Sequence, residues 1–137
     1  MYKHQFSKRI RYGETDRMGY LYYGHYAMLY EIGRTESFRS LGLNYKILED
    51  EFGIMMPVLS VESRFLKPIL YDELITIETI LSEMPEKMAS FKTNIYNTEG
   101  ALAHKGLTKL FFVDTIHRRR VATPEYIMDK LKPYFGR

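Results

Sequence analysis

One helical segment, residues 26–41, has apolar side chains that recur on more than one face. A surface helix carries its apolar residues in a single stripe, so a helix that is apolar on several faces is expected to be enclosed by other elements. Gly42 follows the segment, and glycine commonly ends a helix because it tolerates a left-handed backbone. The pattern therefore predicts a central helix that a sheet surrounds.

Strand-like segments lie on both sides of this helix. Before it, Phe6, Ile10 and Tyr12 alternate with polar residues, which predicts a first strand. After it come four further alternating or β-branched segments, separated by short polar turns: 58–67, 74–81, 91–96 and 102–113. Gly106 is expected to mark a β-bulge in the last of them. One helix and five strands joined by short turns predict an α+β fold with an antiparallel sheet curled around the helix.

The C-terminal part of the chain predicts a short closing helix. Thr123 is a residue type that favours the N-cap, Pro124 suits the first helical position, and Glu125 places an acid in the first turn. No repeat, linker or low-complexity segment interrupts the chain. Its 137 residues, 45% of them hydrophobic, fit one domain over residues 1–137.

Composition excludes several kinds of site. The chain has no cysteine, so it contains no disulfide, no thiolate nucleophile and no thiolate-bound metal. Its first residues lack the apolar core of a signal peptide, and no apolar run approaches the roughly 20 residues of a membrane span. We therefore expect a cytoplasmic protein with no membrane partner. The net charge of +3 suits an anionic ligand.

The most informative place for chemistry is the junction that leads into the helix. The run 16–19 (Asp-Arg-Met-Gly) predicts a tight turn, and the run 22–26 (Tyr-Tyr-Gly-His-Tyr) stands at the helix start. A helix start presents unpaired backbone N–H groups and a partial positive charge, which stabilise a carbonyl oxygen that becomes negative during a reaction. An acid a few residues upstream can attack a carbonyl carbon or deprotonate water.

This junction resembles the signature of the hydroxybenzoyl-coenzyme A thioesterase family of hotdog-fold proteins. In that family a strand ends in Asp-x-x-Gly and leads through an aromatic pair into the central helix. Residues 64–68 and 71–73 resemble a second segment of the same family. The resemblance extends across nearly the whole chain and implies the hotdog fold, in which a five-stranded antiparallel sheet wraps around a long central helix.

The resemblance also implies an activity and an assembly. The expected substrate is an acyl-coenzyme A (acyl-CoA), whose thioester is hydrolysed without a cofactor. The expected assembly is a homodimer or homotetramer with the site at the subunit interface. Two alternatives remain open: a thioesterase for acyl groups on a carrier protein, and a hotdog protein that binds acyl-CoA without turnover.

Three residues of the junction have roles that the resemblance implies. Asp16 supplies the carboxylate that acts on the thioester, either as nucleophile or as general base for water. The backbone N–H of Tyr23 binds the thioester oxygen, and Gly24 lets the acyl carbonyl approach closely. The residue alone permits another interpretation of Asp16, since aspartate commonly caps its own turn.

His25 and Glu31 are further candidates, each with an alternative. His25 stands where family members more often carry asparagine, and its imidazole can hydrogen-bond the ligand, orient Asp16 or cap the helix. Glu31 stands where a second branch of hotdog thioesterases places its acid. An ion pair with Arg34 or Arg11 is the structural alternative for that carboxylate.

Basic residues are expected near the mouth of the site, because coenzyme A carries phosphates. The candidates are Lys67, Lys87 and Arg118. The four histidines are scattered without metal-ligand spacing, and the chain has neither a Gly-x-Ser-x-Gly elbow nor a phosphate-binding glycine loop. We therefore expect no metal and no nucleotide cofactor. Nucleic acid is not an expected partner either, because the recognisable RNA-binding signatures are missing.

Overall fold

The computed structural model describes residues 1–136, which form three α-helices and seven strands. In chain order these are β1 (Tyr2–Arg9), α1 (Tyr26–Ser40), α2 (Tyr45–Phe52), β2 (Ile54–Met55), β3 (Val58–Phe65), β4 (Leu74–Leu81), β5 (Met88–Tyr96), β6 (Leu102–Asp114), β7 (Arg119–Val121) and α3 (Glu125–Leu131). Short 3₁₀ turns cover Tyr12–Glu14, Tyr23–His25 and Lys132–Tyr134. None of the helices in this described part combines the length with the apolar character that a membrane span requires.

The strands form one antiparallel sheet that curls around α1. Its long strands lie in the order β1-β4-β5-β6-β3, and the short β2 and β7 pair with the end of β6. The register sets Ile77 opposite Ile95 and Ile95 opposite His104, and all three side chains are buried. Because alternate residues of a strand face the same side, this row of side chains lies on the helix side of the sheet. The predicted α+β architecture is confirmed.

The core consists of two clusters along the central helix. Leu29 and Tyr30, near the beginning of α1, pack into one cluster, and Phe38, near its end, packs into the other. Gly33 lies between them. A Cβ at Gly33 would meet Ile77 Cγ2 at 2.9 Å and would also collide with the hydroxyl of a neighbouring β4 threonine. The glycine thus lets α1 lie directly on β4.

The end of α1 agrees with the prediction. The helix runs Tyr26–Ser40, and the backbone of Gly42 adopts the left-handed conformation with φ +81°. The N–H of Gly42 donates to the carbonyl of Arg39 at 3.0 Å, which satisfies one of the last helical carbonyls. The expected glycine stop is therefore confirmed.

The first strand ends earlier than the alternation predicts. β1 stops at Arg9, and Tyr12 lies in a 3₁₀ turn with 79% of its surface exposed. The reason is Glu14, whose carboxylate accepts hydrogen bonds from the backbone N–H of Arg11 at 2.7 Å and from Lys8 Nζ at 2.8 Å. These local contacts hold the chain in a turn before the strand can continue.

Neither α2 nor the short strands β2 and β7 is predicted from the sequence. α2 follows Asn44, whose side chain accepts hydrogen bonds from the backbone N–H groups of Lys46 and Ile47, and it ends at Gly53 with φ +64°. Asparagine before a helix and glycine after it are ordinary boundary signals, so the sequence contained the information for α2. β2 and β7 contain too few residues to display a period of two.

Gly106 does not form the predicted bulge. The registers of β6 with β5 and with β3 both run through this residue without a shift. A Cβ at Gly106 would lie 2.7 Å from Cε1 of Tyr30. The glycine instead makes room for the buried Tyr30 ring.

The closing helix α3 begins one residue later than predicted. Pro124 occupies the position before the helix, which runs Glu125–Leu131. The hydroxyl of Thr123 donates to the carbonyl of Glu86 at 2.7 Å and does not cap the helix. Thr123 therefore links this end of the chain, by a hydrogen bond, to the turn before β5.

Candidate active site

The segment between β1 and α1 folds into a compact loop that presents Asp16. Thr15 and Leu21 form an isolated β-bridge, so the loop closes on itself. Within it, the N–H of Gly19 donates to the carbonyl of Asp16 at 3.0 Å, and Gly19 has φ +80°, a conformation that favours glycine. The Asp-x-x-Gly run forms the tight turn that the sequence predicts.

The two carboxylate oxygens of Asp16 have different surroundings. Oδ1 accepts hydrogen bonds from the backbone N–H groups of Met18 at 2.8 Å and of Tyr20 at 3.2 Å. Oδ2 has no hydrogen-bond or ion-pair partner within residues 1–136. The turn thus holds the carboxylate by one oxygen and leaves the other available to a ligand or to water.

The start of the central helix offers two backbone donors. Tyr23, Gly24 and His25 form a 3₁₀ turn that runs directly into α1 at Tyr26. Within the described residues, the N–H groups of Tyr23 and Gly24 have no acceptor. Such first-turn N–H groups stand at the positive end of the helix dipole. An oxygen that gains negative charge would be stabilised at this place.

Asp16 and Tyr23 line the same cleft, which has a volume of about 460 Å³. The other residues that line it are Met18, Tyr20, Leu21, Tyr26, Phe65, Leu66, Lys67 and Pro68. Its wall is mainly apolar and aromatic, and Lys67 adds a positive charge. A carboxylate and an unpaired N–H group beside an apolar wall are groups that acyl transfer requires.

Glu14 is the second acid of the loop, and it is already paired. Burial by itself would raise the pKa of this carboxyl, but the hydrogen bonds from Lys8 and from the Arg11 backbone outweigh burial and lower the pKa. Glu14 therefore anchors the loop as a charged group and does not compete with Asp16. No group of three or more His, Asp or Glu side chains suited to a metal ion is found in the part of the chain that the structure describes.

Gly24 and His25 lie beside the cleft and do not line it. A Cβ on Gly24 would lie 2.5 Å from Cε2 of Tyr22, so the ring of Tyr22 occupies that space. The imidazole of His25 stands edge-on to the same ring, with centroids 5.6 Å apart, and it caps no backbone group. Both residues therefore pack against Tyr22.

Glu31 lies away from this cleft. It is exposed on α1, and its carboxylate accepts a hydrogen bond from the Thr35 hydroxyl at 2.5 Å. No ion pair joins it to Arg34 or Arg11 among residues 1–136, so the structural alternative of an ion pair with either arginine is wrong. Glu31 lines a separate cleft of about 330 Å³ beside the start of α2. Because Glu31 lies on the exposed face of α1, its carboxylate points away from the cleft that contains Asp16.

The three predicted phosphate-binding residues do not converge within one chain. Lys67 lines the cleft. Lys87 directly precedes β5 and Arg118 follows β6, so both lie at the end of the sheet where β6 finishes. The cleft lies at the opposite end, where Phe65 of β3 pairs with His104 near the start of β6.

Residues of the apolar wall were not among the predicted site residues. Tyr26 begins α1, and Phe65 and Leu66 stand at the end of β3. Aromatic and apolar residues at such positions are usually core residues, so their pattern does not indicate a ligand. The family-like segment 64–68, which contains two of the three, was the signal that pointed to this place.

Comparisons with known proteins identify the family of this chain. The model of the family described as "Thioesterase-like superfamily" matches residues 10–131 of this chain. YneP of Bacillus subtilis, named as a candidate acyl-CoA thioesterase, is 31% identical over 105 residues, which are 77% of this chain and 75% of that protein. The acyl-CoA thioester hydrolase YbgC of Escherichia coli is 26% identical over 90% of this chain and 92% of its own length.

A solved structure extends the similarity over almost the whole chain. The DHNA-CoA thioesterase of Staphylococcus aureus is similar with a TM-score of 0.88 and 29% identity, covering 98% of this chain and 89% of that one. The names of these relatives do not single out hydroxybenzoyl-CoA, so the resemblance holds at the level of the superfamily. The chain belongs to the thioesterase-like superfamily and has its hotdog fold.

Proposed function

We propose that this protein hydrolyses the thioester of an acyl-CoA to a free acid and coenzyme A, with Asp16 as the acting carboxylate. The chain is a thioesterase by family, and relatives named as acyl-CoA thioester hydrolases support the coenzyme A thioester as substrate. One observation carries the residue assignment: Asp16, with a free carboxylate oxygen, and the helix start at Tyr23 line one cleft.

The groups in the cleft suit the steps of hydrolysis. The thioester oxygen accepts a hydrogen bond from the backbone N–H of Tyr23, so the negative charge that develops on this oxygen is stabilised. The free oxygen of Asp16 either attacks the carbonyl carbon or removes a proton from the water that attacks it. The carbon–sulfur bond breaks, and the thiolate of coenzyme A leaves and takes a proton. On the first route, water then hydrolyses the acyl-aspartyl anhydride.

A second copy of the chain completes the site in this proposal. β3 is an edge of the sheet, all of its residues are exposed, and they include Val58, Leu59 and Val61. An exposed apolar edge strand is a template for pairing with another strand. The opposite edge, β1, carries Lys3 and Lys8, which discourage such pairing. The proposed unit is a homodimer through β3, from which a homotetramer can assemble.

Antiparallel pairing of β3 with its copy brings the remote basic residues to the cleft. In such a pair, the end of β3 in one subunit lies beside the beginning of β3 in the other. The beginning of β3, at Val58, pairs with Leu110 of β6, near the end of the sheet that carries Lys87 and Arg118. The dimer therefore places Lys87 of the partner subunit and Arg118 of the partner subunit nearer to the cleft, where the phosphates of coenzyme A need cations.

Asp16→Asn tests the assignment of the carboxylate. Asparagine keeps the size of the side chain and an oxygen that can accept from Met18 and Tyr20, while the negative charge is lost. We expect turnover of a panel of acyl-CoAs to fall at least about 100-fold, the low end of what a positioned acid or base contributes. Affinity for a non-hydrolysable acyl-CoA analogue should change little, as should thermal unfolding.

Glu31→Gln is the matched control, because Glu31 is the rival carboxylate and lines a different cleft. Its turnover should stay close to that of the parent protein. Near-parental activity of Asp16→Asn, together with an inactive Glu31→Gln, would move the catalytic carboxylate to the helix. A parent protein that hydrolyses no acyl-CoA of the panel would refute the proposed substrate.

A further inference from the structure

A buried histidine lies directly behind the apolar wall of the cleft. His104 has 0% of its surface exposed, and its ring stacks on Tyr26 with centroids 4.1 Å apart and planes inclined by 28°. The Phe65 ring stands edge-on to His104 at 4.7 Å and edge-on to Tyr26 at 4.9 Å. Tyr26 and Phe65 line the cleft, and His104 does not. The three rings form a triangle in which His104 backs the two that face the cleft.

Hydrogen bonding and packing fix this imidazole in place. Nε2 of His104 is hydrogen-bonded to the hydroxyl of Tyr30, which is also hydrogen-bonded to Ser63 Oγ at 2.7 Å. Tyr30 is fully buried, and its ring fills the space that Gly106 leaves open. Burial lowers the pKa of His104 to about 4, so the ring is uncharged at neutral pH. His104 is thus a neutral ring of β6 that is held against α1 and β3.

We infer that His104 sets the size of the acyl group that the cleft accepts, because its ring prevents Tyr26 and Phe65 from moving inward. This role rests on the proposed function, because the acyl group would occupy the cleft that those two rings line. Protein interiors are close-packed, so a ring does not move into space that another ring already fills. An acyl group too large for the cleft therefore cannot push these two rings inward.

His104 is a positioning residue, since none of its surface reaches the cleft. It acts through Tyr26 and Phe65 and not on the thioester. Its loss should therefore change which acyl groups are hydrolysed and leave the chemistry of Asp16 intact. An apolar pocket discriminates between groups that differ by one methylene by about 10- to 200-fold in kcat/KM. A substitution that lets Tyr26 and Phe65 move should therefore change kcat/KM measurably.

The experiment measures kcat/KM of the parent protein and of His104→Ala on straight-chain acyl-CoAs from butanoyl to decanoyl. Loss of the imidazole opens space behind Tyr26 and Phe65. The ratio of kcat/KM for decanoyl-CoA to that for butanoyl-CoA should rise about tenfold or more, mainly through KM. His104→Phe keeps a ring at this place and should retain the parental ratio.

Phe91→Ala is the matched control, since Phe91 is an equally buried ring in the other cluster of the core. It should lower stability without changing the ratio. An unchanged ratio in folded His104→Ala would overturn the inference, as would an equal shift in His104→Phe. If His104→Ala does not fold, His104→Leu takes its place with the same two outcomes, because leucine leaves part of the space open.

The same measurements distinguish a failure of this inference from a failure of the proposed function. A parent protein with no activity on any acyl-CoA, in this series or in the wider panel, would contradict the proposed function, and the role of His104 with it. If the parent protein is active but no substitution at His104 changes the ratio, only the role of His104 is contradicted.

Discussion

Two aspartates of this chain form the same kind of turn but differ in whether the second carboxylate oxygen has a hydrogen-bond partner. Asp16 and Asp114 each accept, through Oδ1, a hydrogen bond at 2.8 Å from the backbone N–H two residues further on. The second oxygen of Asp114 is hydrogen-bonded to His117 Nδ1 at 2.8 Å, and this contact lowers the pKa of Asp114. The second oxygen of Asp16 has no such partner in residues 1–136. The free oxygen, and not the turn, distinguishes Asp16 as the candidate catalytic group.

Stability should decrease in acid because of His104. Burial lowers the pKa of this imidazole from its ordinary value of 6.5 to about 4. Between these values the unfolded chain binds a proton that the folded protein does not, so stability falls as the pH falls from about 6.5 to about 4 and is fully present above that window. The two pKa values correspond to roughly 3 kcal/mol of unfolding free energy. Urea unfolding at the two ends of the window measures this loss.

His104→Phe is the control for this pH dependence, since it removes the titrating group and keeps a ring. Its unfolding free energy should vary less with pH than that of the parent protein over the same window. Equal pH dependence of the two proteins would assign the acid sensitivity to other groups. Glu14, whose pKa is lowered from 4.5, contributes stability that is present above that value and is lost as the pH falls through its folded pKa.

At the scale of elements, two glycines determine how closely the central helix and the sheet approach. Gly33 on α1 faces Thr79 of β4, and Gly106 on β6 faces the ring of Tyr30 on α1. Each glycine removes a Cβ from one side of a contact, so the helix and the sheet lie closer than two larger residues would allow. Neither glycine has a positive φ, so the interpretation of a glycine as a turn or bulge signal does not apply to them.

Gly106→Ala should lower the free energy of unfolding. The added Cβ would lie 2.7 Å from Cε1 of Tyr30, and this ring is fully buried and hydrogen-bonded to His104, so it cannot move aside. Overpacking of this kind typically costs about 1–3 kcal/mol. The matched control is Gly13→Ala, because a Cβ at Gly13 meets no atom within 4 Å. Equal urea midpoints for the two variants would contradict this role of Gly106.

In the whole molecule, β3 is an edge strand that pairs with β6 on one side only. Its outer edge is open, and its last residue, Phe65, belongs to the wall of the cleft. Whatever pairs with β3 therefore lies next to the candidate active site. Assembly and activity should depend on each other if the pairing partner is a second copy of this chain.

Val61→Lys should disrupt the proposed dimer. Val61 is 44% exposed in β3, and a lysine in each of two paired copies would place like charges near one another. We expect sedimentation velocity at micromolar concentration to show a smaller species than the parent protein, with loss of thioesterase activity. Gln5→Lys on the opposite edge, β1, should change neither property. A folded monomer with full activity would contradict the shared site.

Lys87→Ala tests whether the partner subunit reaches coenzyme A. The substitution should raise KM for an acyl-CoA more than KM for the same acyl group on pantetheine, because only coenzyme A carries the nucleotide phosphates. Turnover should change little, and steady-state kinetics with both substrates measure the difference. Lys46→Ala, an exposed position on α2, is the control. Equal changes for both substrates would assign Lys87 to structure or to the acyl end.

Features that depend on residues close together in the chain could be predicted from the sequence. The alternation in 74–81 predicts β4 with its observed bounds, Gly42 predicts the end of α1, and Asp16 with Gly19 predicts the turn. Each of these features follows from backbone preferences or from a period of a few residues, which one sequence displays. The same reasoning extended β1 too far at Tyr12, because a local hydrogen-bonded turn outweighed the alternation.

Tertiary packing brings together the side chains that line the cleft and the rings that lie behind them. His104 is one of four scattered histidines in the sequence, yet the register of β6 with β3 sets it opposite Phe65, and the curl of the sheet brings both to Tyr26. Glu31 is closer to the junction in sequence and faces another cleft. Neighbours across a sheet are set by register and burial, which arise from the packing of the whole chain and not from any local period.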